Sequence, residues 1–233
     1  MDFRKAIRSS FDLQNTMNSL VDADWISRKR NWPLAMQVEL FEAVGHVGFK
    51  WWKKETPNWD QAFIELVDTY HFMLSHIIEL NAQVRENEQM MKGIGNTDPQ
   101  EVFVDAVADM MEKSYDFFKD KQEYILNEKE VVLTLQDAAT DILDMEKLVQ
   151  SLVILTHMMG KNPEEFLKMY IAKNVLNIFR QNNGYKTGEY IKIWEGKEDN
   201  EYLQEAINTN PALVDDSNGL YSVLEAGYCR VKP

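Results

Sequence analysis

The sequence predicts an all-α, multi-helix bundle, and three observations carry that expectation. Apolar residues recur with a helical period along most of the 233-residue chain, and no segment shows a convincing period-2 strand. Helix starts are well signalled: Pro33 sits near the head of one apolar run, Asn58 follows the break at Pro57, and Asn162-Pro163-Glu164-Glu165 supplies an N-cap, a first-turn proline and an acidic first turn. Helix ends are signalled too, by Gly160 and by Asn182-Asn183-Gly184.

Taken in order, the pattern predicts helices over 5–20 and 33–44, the second weakened by Gly45 and Gly48. A third helix follows Asn58 and reaches about Asn81. A loop is expected over 87–100, with Asp98-Pro99 introducing a helix over 101–119. One or two helices fill 121–159, and another runs over 163–181. Beyond Lys186 the chain is polar without strong period, and little order is expected in its last twenty residues. The expected organisation is one all-α domain over 1–233, with 187–233 as a polar lid or tail.

Composition narrows the function. Hydrophobic content of 45% with 27% charged residues is that of a soluble globular protein. A net charge of −13 argues against nucleic-acid binding, and an anionic substrate would need a cation or local basic cluster to offset it. The single Cys229 excludes an intrachain disulfide framework and suits a reducing compartment. No signal-length apolar run opens the chain, and the most apolar segment, 148–159, is too short and polar to span a bilayer. A cytoplasmic location with no membrane partner is expected.

Two apolar runs carry charges that need explaining. In "VELFEAV" only Glu39 and Glu42 are charged, and in "FIELVDTY" only Glu65 and Asp68. An ionised carboxylate buried without a partner costs several kcal/mol or more. Residues three apart lie about 60° apart on a helix, so each pair shares a face. If the first helix ends near Gly45–Gly48, Glu42 lies roughly 5–9 Å from that end; Glu65 lies roughly 10 Å into its own helix. Folded back as an antiparallel pair, the two helices bring all four carboxylates level. Such a cluster requires a cation, and oxygen-only ligation selects Mg²⁺ or Mn²⁺. The plainer alternative for one such pair is a solvated stripe.

Further along, Lys173, Asn177 and Arg180 fall at i, i+4 and i+7, within about 60°, with Leu167, Ile171 and Ile178 on a different face. A fork-shaped Arg, a Lys and an amide suit polyphosphate oxygens; a solubilising face is the alternative. Tyr185, Lys186 and Lys192 follow in a glycine-containing segment able to close over a ligand. His71 shares a stripe with Asp68, whereas His46 and His157 read as structural. Gln14 and Asn18 are four apart and offer paired donors and acceptors, as a pyrimidine edge requires. Trp51 or Trp52 is placed to stack on a base.

The stretches "ELFE…FKWWKK…NWDQAFIELVDTYHFMLS" and "KNVLNIFRQNNGYKTGEYIKIWEGKEDN" together resemble the dimeric, all-α dUTPase family, a branch of the all-α nucleotide pyrophosphatases that include dCTP pyrophosphatases and MazG-like enzymes. The resemblance covers roughly 37–76 and 173–202, with a weaker echo at 13–18. It implies a single catalytic domain of the all-α pyrophosphatase type, a homodimer, and Mg²⁺-dependent hydrolysis of dUTP, and of dUDP, to dUMP. Glu39, Glu42, Glu65 and Asp68 match its metal ligands, and Lys173, Asn177, Arg180, Tyr185 and Lys186 its phosphate contacts. Gln14, Asn18, Trp52 and His71 match the base and sugar pocket. Glu42, with Glu39 as the alternative, is expected to take a proton from the attacking water. The chain departs from the pattern at 43–46, reading "AVGH" where relatives often carry "LIDS". Rival expectations are a dCTP or mixed dCTP/dUTP pyrophosphatase, a ferritin-like di-iron protein and a non-catalytic helical regulator.

Overall fold

Helical periodicity translates into nine α-helices among the described residues, which in this computed structural model are 1–91, 98–118 and 127–232. They are α1 (Phe3–Val21), α2 (Trp32–His46), α3 (Trp59–Met91), α4 (Pro99–Phe118), α5 (Glu128–Thr140), α6 (Met145–Met158), α7 (Pro163–Asn182), α8 (Asp199–Thr209) and α9 (Ser217–Tyr228). Two short 3₁₀ segments join them, and a two-residue antiparallel hairpin pairs β1 (Ile193–Trp194) with β2 (Lys197–Glu198). That hairpin is the strand content among the described residues.

The α2–α3 pair forms as the glycines require. Asn31 caps α2 by accepting from the Leu34 N–H, and the helix runs out at Val47. Gly48 then takes a φ of +69°, a conformation costly for any residue with a side chain. The Asn58 N–H closes the connection on the His46 carbonyl at 2.8 Å. Cross-contacts run in opposite directions, Trp32 Nε1 donating to Glu79 Oε2 at 2.8 Å while His46 Nε2 lies 3.3 Å from Glu65 Oε1. The pair is antiparallel. Met36, Leu40 and Ala43 of α2 pack into the same core as Leu66, Val67, Tyr70 and Met73 of α3. Each large apolar side chain buried this way contributes about 1.5–3 kcal/mol.

Several boundaries differ from the sequence expectation. α3 continues to Met91, so 87–91 of the expected loop are helical, and 92–97 lie outside the described residues. The region expected to hold one or two helices holds α5 and α6, with 121–126 outside the described residues, as is residue 119 of the helix before it. α7 begins with a complete capping box, Asn162 accepting from Glu165 N while Glu165 Oε2 accepts from Asn162 N.

The structure settles the faces of α7 and corrects the order expected near the C-terminus. The stripe Lys173–Arg180 of α7 points inward and Ile171 outward, because the cations have acidic partners inside the bundle. The tail forms α8 and α9, and α9 lies within the last twenty residues, where little order was expected. Leu220, Leu224 and Tyr228 recur every four residues and are buried, and Trp194, Tyr221 and Tyr228 surround Phe179 of α7 with ring contacts of 5.3–5.8 Å. No helix among the described residues is long and apolar enough to cross a membrane.

Candidate active site

The register of α2 against α3 concentrates charge at one place. One carboxylate oxygen from each of Glu39, Glu42 and Glu65 lies within 4.8 Å of the others. Asp68 lines the same pocket, its Oδ2 2.8 Å from Lys173 Nζ. Burial, followed by the charges of Asp68 and Glu65, pushes the Glu39 carboxyl up to about 9, so without a cation this acid holds its proton at neutral pH. His46, expected to be structural, borders the cluster instead; its hydrogen bond to Glu65 raises its pKa.

A divalent ion is the natural remedy for such repulsion. Oxygens around Mg²⁺ at about 2.1 Å stand about 3–4 Å apart, so the cluster needs only slight closure to hold one. All four acids offer oxygen alone, and the donor set fits a hard cation.

The pocket, about 550 Å³, is lined by cations as well as by the acids. Lys173, Arg180 and, from the tail, Lys192 supply its cations, with Tyr185, Asn200 and two further carboxylates, Glu198 and Glu201, lining the pocket beside them. Lys173, only 1% exposed, donates to Asn200 Oδ1 at 2.7 Å as well as pairing with Asp68. The solubilising-face alternative for this stripe fails on that burial. Tyr185 covers the Arg180 guanidinium, ring centre 5.6 Å from Cζ. Two expected phosphate contacts sit apart: Asn177 Oδ1 accepts from Arg180 Nη1 at 3.1 Å, and Lys186 Nζ reaches the Val21 carbonyl.

Beside Asp68 lies a polar network on α1, α3 and α7. Gln14 Nε2 donates to Asn18 Oδ1 at 3.0 Å and Ser75 Oγ at 3.1 Å, and its Oε1 accepts from Tyr170. Asn18 Nδ2 donates to Ser75 Oγ at 2.9 Å. His71 shares this neighbourhood with both ring nitrogens engaged, Nδ1 with the Val67 carbonyl at 2.8 Å and Nε2 with Asn174 Nδ2 at 3.0 Å. Burial pushes its pKa down to about 4, so the ring is neutral. Trp52 stands exposed on the loop after α2, its ring contacts being Phe49 and Trp51.

Sequence reasoning missed His46, Gln61, Asp199 and Asn200. A signal existed for the last two: Glu198 and Glu201 form a capping box, whose spacing marks 199–200 as the start of a helix.

The dUTPase family model matches residues 6–185, a span that contains most of α1, all of α2 to α7, both acidic pairs and the cationic stripe. The chain belongs to the all-α dUTPase family. A comparison with curated proteins finds no match. Family membership gives the chain its chemistry: it is a dUTP-hydrolysing nucleotide pyrophosphatase, a dUTP diphosphatase, and a nucleotide is its substrate.

Proposed function

We propose that the chain converts dUTP, and dUDP as well, to dUMP in this pocket, with Mg²⁺ (or Mn²⁺) held by Glu39, Glu42, Glu65 and Asp68. The observation that carries the proposal is the meeting of those acids with Lys173, Arg180 and Tyr185 across one pocket. A bound divalent cation supplies charge neutralisation on the phosphates and acidifies a water molecule. The chain's own groups do the rest. Lys173 and Arg180 present fixed donors to phosphate oxygens where charge develops. Glu42 is the one exposed acid of the four and takes the water proton. Gln14 and Asn18, whose amides here hydrogen-bond each other and Ser75, are assigned to the base through family resemblance, as Asn177, Lys186, Trp52 and His71 are to the phosphate, base and sugar contacts. The whole of 1–233 acts as one catalytic domain, the segment from 187 onward walling the pocket.

The test is a panel of dUTP, dUDP and dCTP with Mg²⁺ and product analysis. dUMP and pyrophosphate from dUTP are expected, and preferential dCTP turnover would overturn the uracil assignment. A di-iron centre is disfavoured because the group of side chains able to hold an ion among the described residues, Glu39, Glu42 and Glu65, includes no histidine.

Residues Leu34, Val38 and Phe41 form an exposed apolar stripe on α2, and we assign it to a homodimer contact. Light scattering should return twice the chain mass; a single-chain mass at micromolar concentration would refute it. The lone exposed Cys229 suits a reducing cytoplasm, and recovery of the protein from an exported fraction would contradict that location.

A pH prediction follows from Glu39. Its folded pKa lies above the unfolded value, so the folded state binds the extra proton, and stability without divalent ions should fall as pH rises toward about 9. Melting temperatures in EDTA should drop between pH 6 and 9. Mg²⁺ should flatten that slope, as should Glu39→Gln without Mg²⁺. An unchanged slope in the variant would remove Glu39 as its source.

A further inference from the structure

We infer that Asp199, in the first turn of α8, is the positioning residue that fixes the Arg180 guanidinium for phosphate. The inference rests on the pocket being the dUTP site, and it gives the tail, which lies beyond the matched residues 6–185, a part in turnover. Asp199 is fully buried. Its Oδ1 accepts from Arg180 Nη2 at 2.7 Å, and its Oδ2 accepts from Arg180 Nε at 2.8 Å and from the Tyr190 hydroxyl at 2.7 Å.

A guanidinium has five N–H donors. Here Nε gives one to Asp199, Nη2 gives one to Asp199 and one to Asn200 Oδ1, and Nη1 gives one to Asn177 Oδ1. Among the described residues, the donor left over is on Nη1. Tyr185 covers one face, so the fork is fixed in plane as well as in direction. A donor held this way needs no reorganisation when charge develops on the phosphate. Asp199 is held in turn: Tyr190 stacks on Tyr228 of α9, centroids 5.1 Å apart and planes 14° from parallel. The chain α9–Tyr190–Asp199–Arg180 links the last helix to the site.

A double-mutant cycle on the full-length protein tests the assignment. Asp199→Asn keeps the volume but loses the charge, and it should lower kcat/KM for dUTP about 30-fold. In an Arg180→Lys background, where no fork remains to be aimed, the same change should cost less than about threefold. Tyr190→Phe, which removes one hydrogen bond to Asp199, keeps the question answerable if Asp199→Asn folds poorly; its smaller loss should also vanish with Arg180→Lys. The Arg180 Nε–H resonance gives a readout independent of turnover: it should exchange slowly in the wild type and rapidly in Asp199→Asn. Additive losses in both backgrounds, or an unchanged exchange rate, would overturn the positioning role. Wild-type inactivity toward dUTP would instead overturn the proposed function, with the Arg180 resonance still deciding whether Asp199 holds the fork.

Discussion

Glu42→Gln should leave the fold intact and lower turnover of dUTP by about 10²–10⁴-fold, the range a positioned proton acceptor contributes. The four acids are not equivalent. Glu65 is buried and bonded to His46, Asp68 is held by Lys173, and Glu39 is driven toward its protonated form by burial and by its neighbours. Glu42 alone is exposed, on the last turns of α2 where the pocket opens. Glutamine keeps the size and one oxygen donor but cannot take a proton at any accessible pH. The measurement is kcat against Mg²⁺ concentration. The variant should stay slow at saturating Mg²⁺, which separates loss of proton transfer from weaker metal binding. Near-wild-type kcat once Mg²⁺ saturates would reduce Glu42 to a ligand and move the base to Glu39.

The acidic half of the site was legible because it obeys local rules. Two carboxylate pairs in apolar runs, a glycine break and a proline–asparagine restart determine face, register and direction, and the 4.8 Å cluster of Glu39, Glu42 and Glu65 is their consequence. The cationic half was legible in its residues but not in its orientation. Periodicity reported two faces on α7 and assigned the apolar one no partner; only tertiary contacts reveal that Lys173 and Arg180 are the inward face, since Asp68 and Asp199 stand 105 and 19 positions away in sequence. His46 was passed over because a lone histidine carries no spacing signal. The tail was underestimated for a related reason: Leu220, Leu224 and Tyr228 are a sparse stripe, convincing only once Phe179 and Trp194 supply the aromatic surface they cover.

Lys173→Met should cost both stability and turnover, and the two losses should separate. Lys173 is 1% exposed, and its ammonium has two partners, Asp68 Oδ2 at 2.8 Å and Asn200 Oδ1 at 2.7 Å. Methionine fills similar space without charge, leaving Asp68 beside Glu39 without its hydrogen-bonded cation and with only the longer-range charge of Arg180. Removing one member of a buried pair typically costs about 3–5 kcal/mol, and the partial exposure of Asp68 places the expectation near the lower end. Urea unfolding in EDTA should show that loss. Turnover should fall about 100-fold, since one fixed cation on the phosphate wall is gone. Adding Asp68→Asn to Lys173→Met removes the stranded charge and should restore most of the stability while leaving turnover low. If the double variant instead recovers turnover, Lys173 serves only to neutralise Asp68 and makes no contact with phosphate. If Lys173→Met is as stable as the wild type, Asp68 is hydrated and the buried pair contributes nothing to the fold.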